Sequence, residues 1–578
     1  MSAWARLFRA TLFTIGLITA LFPWNALFAI PPGATPIPAS AQPGVISKYV
    51  TPKTNYTPRS AAPAVLSPEE QAASFGSQAQ EIKFTLKQII LEGNHVYSDA
   101  ELSAIFKDSL NKSISVAELQ NIVQNITNYY RNNGYILSRA ILPPQHIHDG
   151  IVHVKIIEGF ISKVTVIGKA RGSRAILETY GTKITESRPL QIKTMEHYLL
   201  LANQLPGVSV KAVLAPSTSD TGASDLNLVA EEQTVNASFS YDDYGTRYIG
   251  PLQLTATVST NSIFRSGDLT RFTTLTTTHG SELNFYDMYY QTPLGSNGLQ
   301  GTLDANKSYT TPGFTLKPLR VYGNSTTYAL GLQYPLTRSR AHNSTLDGTF
   351  SYANSQTTQL GFNLYNDHIR YIRFGGTTDF ADRFNGTNLI SLHAEQGLNV
   401  LGASNNPNST TSSRFGADGI YTKLTGQASR TQFLFGQFSA FALISGQYSF
   451  SPLLTSAQFG FGGSQLGRGY DPAEIIGDRG LAGSLELRFD TSPQKMFLKN
   501  VQYYIFYDAG VVWDIKQAVG IPLRQDATST GIGARFNITQ YVSGNVMWTQ
   551  PLTKDVAAEE LIGDGHRPRI FFSLIASI

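Results

Sequence analysis

The sequence has no cysteine among its 578 residues. This absence excludes disulfides, thiolate zinc sites, iron–sulfur clusters and cysteine nucleophiles. Charged side chains are also scarce, at 15% of the chain, where about a quarter is usual. Lys plus Arg number 45 and Asp plus Glu number 41, so the chain lacks the basic surface of a nucleic-acid-binding protein. We therefore expect no nucleic-acid partner.

Long apolar runs are missing after the N-terminus, where no segment approaches the ~18 apolar residues of a membrane-spanning helix. The first 29 residues have the parts of a secretory signal. Arg6 and Arg9 give the positive start, Ala10 to Leu21 forms the apolar core, and Ala29 ends a short cleavage region. We predict a signal peptide at 1–29 and a mature chain that leaves the cytoplasm.

Proline is concentrated in residues 30–80, which include nine prolines between Pro31 and Pro68. Such a composition predicts a semi-extended linker rather than a domain. One short helix is possible at Ser67–Glu70, because Pro68 would stand at its first position.

Residues 81–159 show the order β-α-α-β-β. We predict a strand from Phe84 to Leu91 and a first short helix capped by Ser98. A second helix follows the capping box of Ser115 and Glu118, and its apolar residues recur at helical spacing. Two strands complete the unit, at 135–141 and 151–157.

The same order recurs in residues 160–232, with a strand at 161–167, two helices at 175–180 and 190–202, and strands at 208–214 and 226–230. Two small α/β units in tandem leave sheet edges that can accept an extended peptide. A role as mere spacers is the alternative.

Residues 233–578 contain only short alternating segments separated by Gly, Asn, Asp, Ser and Thr. We predict strands at 252–258, 270–276, 346–352, 432–438, 440–445 and 569–578. At about 20 residues per strand with its turn, this length suggests around 16 strands of a closed transmembrane barrel. The scarcity of charge fits, since alternate side chains would face lipid. The fold class is thus α+β units followed by an all-β barrel of 16 antiparallel strands.

Short segments in this order resemble a known family. They are Gly134-Tyr135, Ser138 to Gln145, Glu158-Gly159, Tyr241 to Gly245, Tyr290 to Gly295, Tyr334 to Arg340, Leu466 to Tyr470, Gly477 to Gly480 and Phe506 to Gly510. Together they are similar to the TpsB proteins, the outer-membrane transporters of two-partner (type V) secretion, of ShlB/FhaC haemolysin secretion and activation type. The resemblance covers about residues 82–578 and implies that the α/β units are POTRA domains.

The resemblance also implies a site. The tip motif Arg468-Gly469-Tyr470 would lie on the long sixth extracellular loop, folded back into the barrel. Its partner on the inner wall would be the motif of Phe506, Asp508 and Gly510, with Arg468 paired to Asp508. Charge reversal at Arg468 should then abolish secretion, and exchange with Asp508 should restore part of it. Three departures stand out: Gly467 where the family usually has Val, Ile578 where an aromatic is common, and no recognisable plug helix in 30–80.

The resemblance implies a protein translocase in the outer membrane of a Gram-negative cell, with its POTRA domains in the periplasm. It would capture and secrete one dedicated exoprotein of haemolysin or adhesin type. Expected partners are that exoprotein, outer-membrane lipid and the barrel-assembly machinery during biogenesis, and the expected state is a monomer. We expect no enzyme activity, no catalytic residues, no cofactor and no metal. The alternatives are a barrel-assembly factor and a passive porin or surface adhesin.

Two further patterns are weaker. His146 and His148 have the spacing of a metal pair, but no further ligands are nearby in sequence, so we interpret them as loop residues. Gly460 to Gly463 is rich in glycine, yet it lacks the phosphate-loop pattern and predicts a turn or strand.

Overall fold

A computed structural model of the chain describes residues 37–51, 82–218, 220–492, 498–516, 522–560 and 563–578. The predicted signal peptide and the predicted helix at Ser67–Glu70 lie outside the described residues. Among the helices in these ranges, none has the length and apolar content that crossing a bilayer requires.

The segment 37–51 is more than a linker. A 3-10 turn (Ala39–Ala41) leads into helix α1 (Pro43–Val50), which the proline-rich composition did not predict. Pro43 stands at the start of the helix, where a missing N–H costs nothing. Its buried side, which includes Ile46, lies against the inner wall of the barrel described below.

The first α/β unit contains the predicted elements with adjusted ends: β1 (Lys83–Leu86), β2 (Gln88–Glu92), α2 (Asp99–Ser103), β3 (Lys112–Ser115), α3 (Val116–Asn132), β4 (Arg139–Ile141) and β5 (Ile151–Ile157). Both helices begin at a capping box, Ser98 with Glu101 and Ser115 with Glu118. The predicted strand Phe84–Leu91 is interrupted at Lys87, whose N–H donates to the Gly150 carbonyl. The main sheet has the order β2-β5-β4.

The second unit repeats this arrangement: β6 (Phe160–Lys169), α4 (Arg174–Thr185), α5 (Ile192–Gln204), β7 (Val208–Pro216) and β8 (Ala223–Glu232). Its sheet has the order β6-β8-β7. Helix α5 lies against the barrel turns at this end of the molecule. There Glu196 pairs with Arg340 at 3.1 Å, and Gln204 accepts from Arg338 at 3.1 Å.

The predicted barrel of 16 strands is confirmed, and it is closed and antiparallel. Its first eleven strands are β9 (Val235–Asp242), β10 (Gln253–Asn261), β11 (Leu269–Thr277), β12 (Leu283–Pro293), β13 (Gln300–Thr310), β14 (Tyr322–Arg338), β15 (His342–Gln359), β16 (Phe362–Ala381), β17 (Gly386–Gly397), β18 (Thr422–Phe435) and β19 (Phe438–Ser449). The short strands β20 (Phe459–Phe461) and β21 (Ile475–Gly477) are not part of the barrel wall. They pair with each other within the loop that joins β19 to β22. The wall is completed by β22 (Arg479–Thr491), β23 (Asn500–Trp513), β24 (Arg524–Asn537), β25 (Val542–Pro551) and β26 (Arg569–Ser577), and a short helix α6 (Ala557–Glu560) lies between the last two.

One predicted strand is wrong. Residues 432–438 span the end of β18, a turn and the first residue of β19. Apolar residues continue on both sides of the turn, since Phe433 and Phe435 end β18 and Phe438 begins β19, all near the same end of the barrel. Apolar periodicity therefore did not mark the reversal of the chain.

Alternate side chains give the barrel two faces. Residues such as Leu330, Leu392 and Leu485 are exposed on the outside, as lipid-facing strands require. Small polar and charged residues predominate at the inner positions, together with some aromatic and aliphatic side chains such as Tyr371 and Phe441, and they surround a lumen cavity of about 1040 Å³.

Four loops at the end opposite the α/β units are used below. Loop 5 is 398–421 and loop 6 is 450–478. Loop 7 connects β23 to β24 and is described at 514–516 and 522–523, and loop 8 connects β25 to β26 and is described at 552–560 and 563–568. Loop 6 contains the β20–β21 hairpin, and it folds back into the lumen, because residues 464, 465 and 468 line the cavity.

Candidate functional site

The tip of loop 6 is a tight turn against the inner wall. The Tyr470 N–H donates to the Gly467 carbonyl at 2.8 Å, which places Arg468 and Gly469 at the centre of the turn. Across from them lies Asp508 on β23. The structure thus brings the two predicted motifs together.

Asp508 is fully buried, and its carboxylate accepts four hydrogen bonds from the loop tip. Arg468 Nε and Nη2 donate to it at 2.9 and 2.7 Å. The backbone N–H groups of Gly467 and Arg468 also donate, at 3.1 and 2.9 Å. A two-pronged guanidinium–carboxylate pair with added backbone donors is among the stronger polar contacts in proteins. It fixes the position of the main chain as well as the side chain.

Arg468 has further partners that the sequence analysis missed. Its Nη1 donates to Glu486, and its Nη2 donates to Ser484 Oγ at 2.7 Å, both on β22. The guanidinium also lies 3.6 Å from the centre of the Phe506 ring. Glu486 in turn accepts from Arg488 at 2.7 Å and from Arg535 at 3.0 Å. Arg468, Phe506 and Asp508 are therefore at the centre of a larger charged network that extends over β22, β23 and β24.

The departure at Gly467 has a structural reason. Its φ is +75°, a conformation that side chains other than glycine rarely adopt. A Cβ there would also come within 2.8 Å of the Phe461 ring. The same ring lies over Gly510, where a Cβ would approach it to 2.3 Å. Phe461 thus fills the space that the two glycines leave.

Gly469 and Tyr470 dock the tip on the neighbouring strand. The Gly469 N–H donates to Ser529 Oγ at 3.2 Å, and the buried Tyr470 donates its hydroxyl proton to the Thr528 carbonyl at 2.9 Å. The tip is therefore held on β24 as well as on β23.

Loop 6 also contacts helix α1. The Tyr49 ring lies against the glycine-rich strand, and a Cβ on Gly460 would come within 2.5 Å of the Tyr49 hydroxyl. The predicted turn or strand at 460–463 therefore contributes to a seat for Tyr49. Gly44 of α1 similarly packs against Ser456 of loop 6.

A second arginine joins three loops. Arg414 of loop 5 pairs with Asp478 of loop 6 and with Asp514 of loop 7, the latter at 3.1 Å. The Asp478 side chain is fully buried and also accepts from the Leu453 and Ile515 N–H groups, both at 2.8 Å. The family resemblance at Gly477 to Gly480 pointed to Asp478 but not to its partner.

Loop 6 carries a buried acidic pair, Asp471 and Glu474, where it contacts loop 8 and β26. Asp471 accepts from Arg569 at 2.8 Å. Glu474 accepts from the Ala557 N–H at 2.8 Å and lies 3.8 Å from Lys554 Nζ. Burial, and after it the nearby Asp471 carboxylate, raise the pKa of Glu474 to about 7. Both carboxylates are desolvated by the packing of loop 6 on loop 8.

His146 and His148 are exposed on the loop before β5, with ring centres 6.4 Å apart. Within the described ranges there is no group of three or more His, Asp or Glu side chains arranged to hold a metal ion.

Comparison with known proteins identifies the architecture. The sequence model of the haemolysin secretion/activation proteins ShlB/FhaC/HecB matches residues 222–536, which is more than half of the chain. The chain belongs to this family. The sequence model of the ShlB-type POTRA domain matches residues 84–159, so the first α/β unit is a POTRA domain.

Individual relatives agree. The chain is 23% identical over 486 residues to the heme/hemopexin transporter protein HuxB of Haemophilus influenzae strain 86-028NP, covering 82% of this chain and 85% of the relative. It is 24% identical over 501 residues to the outer membrane transporter CdiB of Dickeya dadantii, covering 81% and 85%. The solved structure of CdiB from Escherichia coli has the same fold, with a TM-score of 0.70, 18% identity, and coverage of 90% and 94%.

The prediction of a TpsB-type transporter is therefore confirmed. The protein is an outer-membrane β-barrel that secretes an exoprotein, with POTRA structure on the periplasmic side. The ends of the barrel are thereby assigned: the turns beside α5 face the periplasm, and loops 5 to 8 face the cell exterior.

Proposed function

We propose that this transporter secretes one dedicated exoprotein, a large repetitive haemolysin or adhesin, which crosses the barrel unfolded. The cargo type is inferred from relatives whose names differ: a heme/hemopexin transporter, a hemolysin transporter of Proteus mirabilis and a CdiB transporter. What these relatives share with this chain is a route for an exported polypeptide. Folding of the exoprotein outside would give the export its direction.

Capture would begin at the edges of the POTRA sheets, because an extended peptide can add to an unpaired strand. In the second unit β7 forms one edge of the sheet. On β7 the Asn203 side chain already donates to the Val210 carbonyl and accepts from the Val210 N–H, at 3.1 and 2.9 Å. The backbone N–H and C=O groups of Ala212 and Leu214, two and four residues further along β7, point in the same direction as those of Val210. They would remain free to form hydrogen bonds with an incoming peptide. The contact of α5 with the periplasmic turns supports delivery from this sheet to the barrel.

The loop 6 tip would act as the latch of the pore. The observation that carries this proposal is the four-bond anchorage of Gly467 and Arg468 on the buried Asp508. The tip would have two positions, seated on Asp508 and released, while the rest of the loop keeps its contacts with Arg414 and Arg569. Export would require both positions: the seated tip would hold the barrel ready for its substrate, and the tip would then leave its seat to make room for the crossing polypeptide.

The function is tested by comparing the proteins released by a strain with and without this gene. We expect loss of one large exoprotein, with outer-membrane barrels unchanged, and recovery on complementation with the wild-type chain. General loss of barrel proteins would instead indicate an assembly factor. Unchanged secretion together with altered solute uptake would indicate a porin.

A further inference from the structure

The inner wall beneath α1 is built from small side chains on three neighbouring strands. Ser308 of β13, Ser325 of β14 and Ser355 of β15 stand at one level of the barrel, since the register pairs 308 with 325 and 325 with 355. Thr310 lies one inward position further along β13. These four residues are called the hydroxyl wall below. Helix α1 rests on it: a Cβ on Gly44 would come within 2.8 Å of Ser355 Oγ.

Two hydroxyls of this wall have no partner within the described residues. Ser308 and Thr310 are both 0% exposed, and neither side-chain oxygen makes a hydrogen bond there. Their inward direction follows from Asn306 and Asp304 on the same strand, which line the lumen. Buried polar groups without partners are rare, and each one weakens the state that contains it.

Helix α1 is poorly suited to these hydroxyls. It meets the wall with Pro43 and Gly44 of its first turn, where N–H groups have no partner inside the helix, but neither residue donates to Ser308 or Thr310. Pro43 Cγ lies over Gly323, the register partner of Thr310, and offers no donor. An extended chain differs, since it brings a free N–H and C=O at each residue, about 3.3 Å apart.

Among the described residues, the opposite wall on β22 to β24 has no unpartnered hydroxyl. Its inward charged side chains Glu486, Arg488 and Arg535 are bonded to one another, and Glu486 also accepts from Arg468 of loop 6. A passing chain would have to break these pairs to use them. The two walls thus differ in kind, one charged and paired, the other small and hydroxylated.

From this geometry we infer that the hydroxyl wall is the surface along which an extended polypeptide runs through the barrel once α1 has left it. The inference rests on the proposed function and adds the path. The small side chains leave room for a main chain of any sequence, and the hydroxyls bond to its backbone rather than to its side chains. Such a surface suits a cargo whose sequence varies along its length.

A chain without cysteine allows a direct test by single-cysteine crosslinking. Reconstituted full-length protein with Ser325→Cys is exposed, from the periplasmic side, to a Gly-Asn-Ser-Thr repeat peptide whose one central cysteine is activated as its 2-pyridyl disulfide. The protein thiolate attacks the peptide sulfur, and pyridine-2-thione leaves. About 20 residues at about 3.3 Å each are long enough to cross the barrel. The matched control is Ser429→Cys on β18, which lines the same lumen away from α1. The rate of peptide crosslinking at each cysteine is divided by the rate at which a small thiol-reactive reagent modifies the same cysteine.

We expect the mixed disulfide to form at least about tenfold faster at residue 325 than at 429 after this normalisation. Equal rates, a faster reaction at 429, or no peptide adduct at 325 would overturn the inference. Removal of the hydroxyls gives a second measurement. The double variant Ser308→Ala with Thr310→Val should shorten the residence of the peptide in single-channel recordings by roughly five- to 100-fold. Ser429→Ala with Thr431→Val should leave it unchanged, and equal effects of the two pairs would also count against the path.

These results separate from those for the function itself. If the gene deletion abolishes release of an exoprotein but the peptide does not react preferentially at residue 325, only the path is wrong. If the deletion changes no secreted protein, the proposed function fails whatever the peptide does.

Discussion

Replacing Asp508 by asparagine should release loop 6 from its seat. The substitution keeps the size of the side chain but removes the charge that Arg468 and two backbone N–H groups contact. Breaking one side of a buried ion pair typically costs about 3–5 kcal/mol. That cost corresponds to a roughly 150- to 4,000-fold shift toward the released loop. Glu486 remains as a partner of Arg468, so we expect the lower part of this range.

Limited trypsin digestion of intact cells measures this shift. Seated Arg468 is only 4% exposed, and cleavage after it requires the loop to leave the lumen. We expect cleavage after this residue to be at least about 100-fold faster in Asp508→Asn. The control is Asp526→Asn on β24, an exposed carboxylate, which should behave as wild type. Cleavage of Asp508→Asn at the wild-type rate, with unchanged secretion, would refute the reasoning.

The structure also changes an expectation from the sequence. Exchange of Arg468 and Asp508 should not restore secretion, even in part. An arginine at 508 would face the N–H groups that now donate to the carboxylate, and an aspartate at 468 would face Glu486. Secretion by the exchanged variant above the level of the single reversal would show that the pair acts by charge alone.

Three further predictions concern the loops and α1. The pKa of Glu474 is raised in the folded state. Its contribution to the seating of loop 6 should therefore be greatest at pH values below the ordinary pKa of a glutamate, and it should be lost as the pH rises through about 7. Single-channel opening should increase with pH, and Glu474→Gln should remove this dependence. Arg414→Met leaves Asp478 buried without its cation, so protease sensitivity of loops 5 to 7 should rise about 100-fold or more, with Arg414→Lys intermediate; wild-type resistance would contradict this. Tyr49→Ala removes the ring that α1 places against Gly460 and Gly463, and it should increase the frequency of channel opening. An unchanged opening frequency would show that other contacts hold α1 in the lumen.

The sequence predicted elements whose signals are local. The capping box at Ser115 and the N-cap at Ser98 place the helices of the first POTRA domain, since an N-cap and a Glu three residues after it are short-range features. The strand number followed from length and from the spacing that lipid imposes. The pairing of Arg468 with Asp508 came from the family resemblance, not from physical reasoning on the residues.

What the sequence did not predict depends on long-range packing. Helix α1 has only eight residues, too few to be stable alone in water, so its helical form depends on the barrel wall. Glu486 and Arg414 carry no motif, because their roles exist only when loop 6 folds into the lumen. Gly467 was noted as a departure, but its positive φ and the Phe461 ring behind it are visible only in three dimensions.

We expect loop 6, held on Asp508, to control secretion of one exoprotein through this barrel. The most direct measurement is the amount of that exoprotein released by the deletion strain carrying wild-type, Asp508→Asn or Asp526→Asn protein at equal membrane levels. We expect normal release with wild type and Asp526→Asn, and release near the level of the deletion strain with Asp508→Asn. Normal release with Asp508→Asn, while trypsin shows its loop 6 to be free, would contradict this expectation.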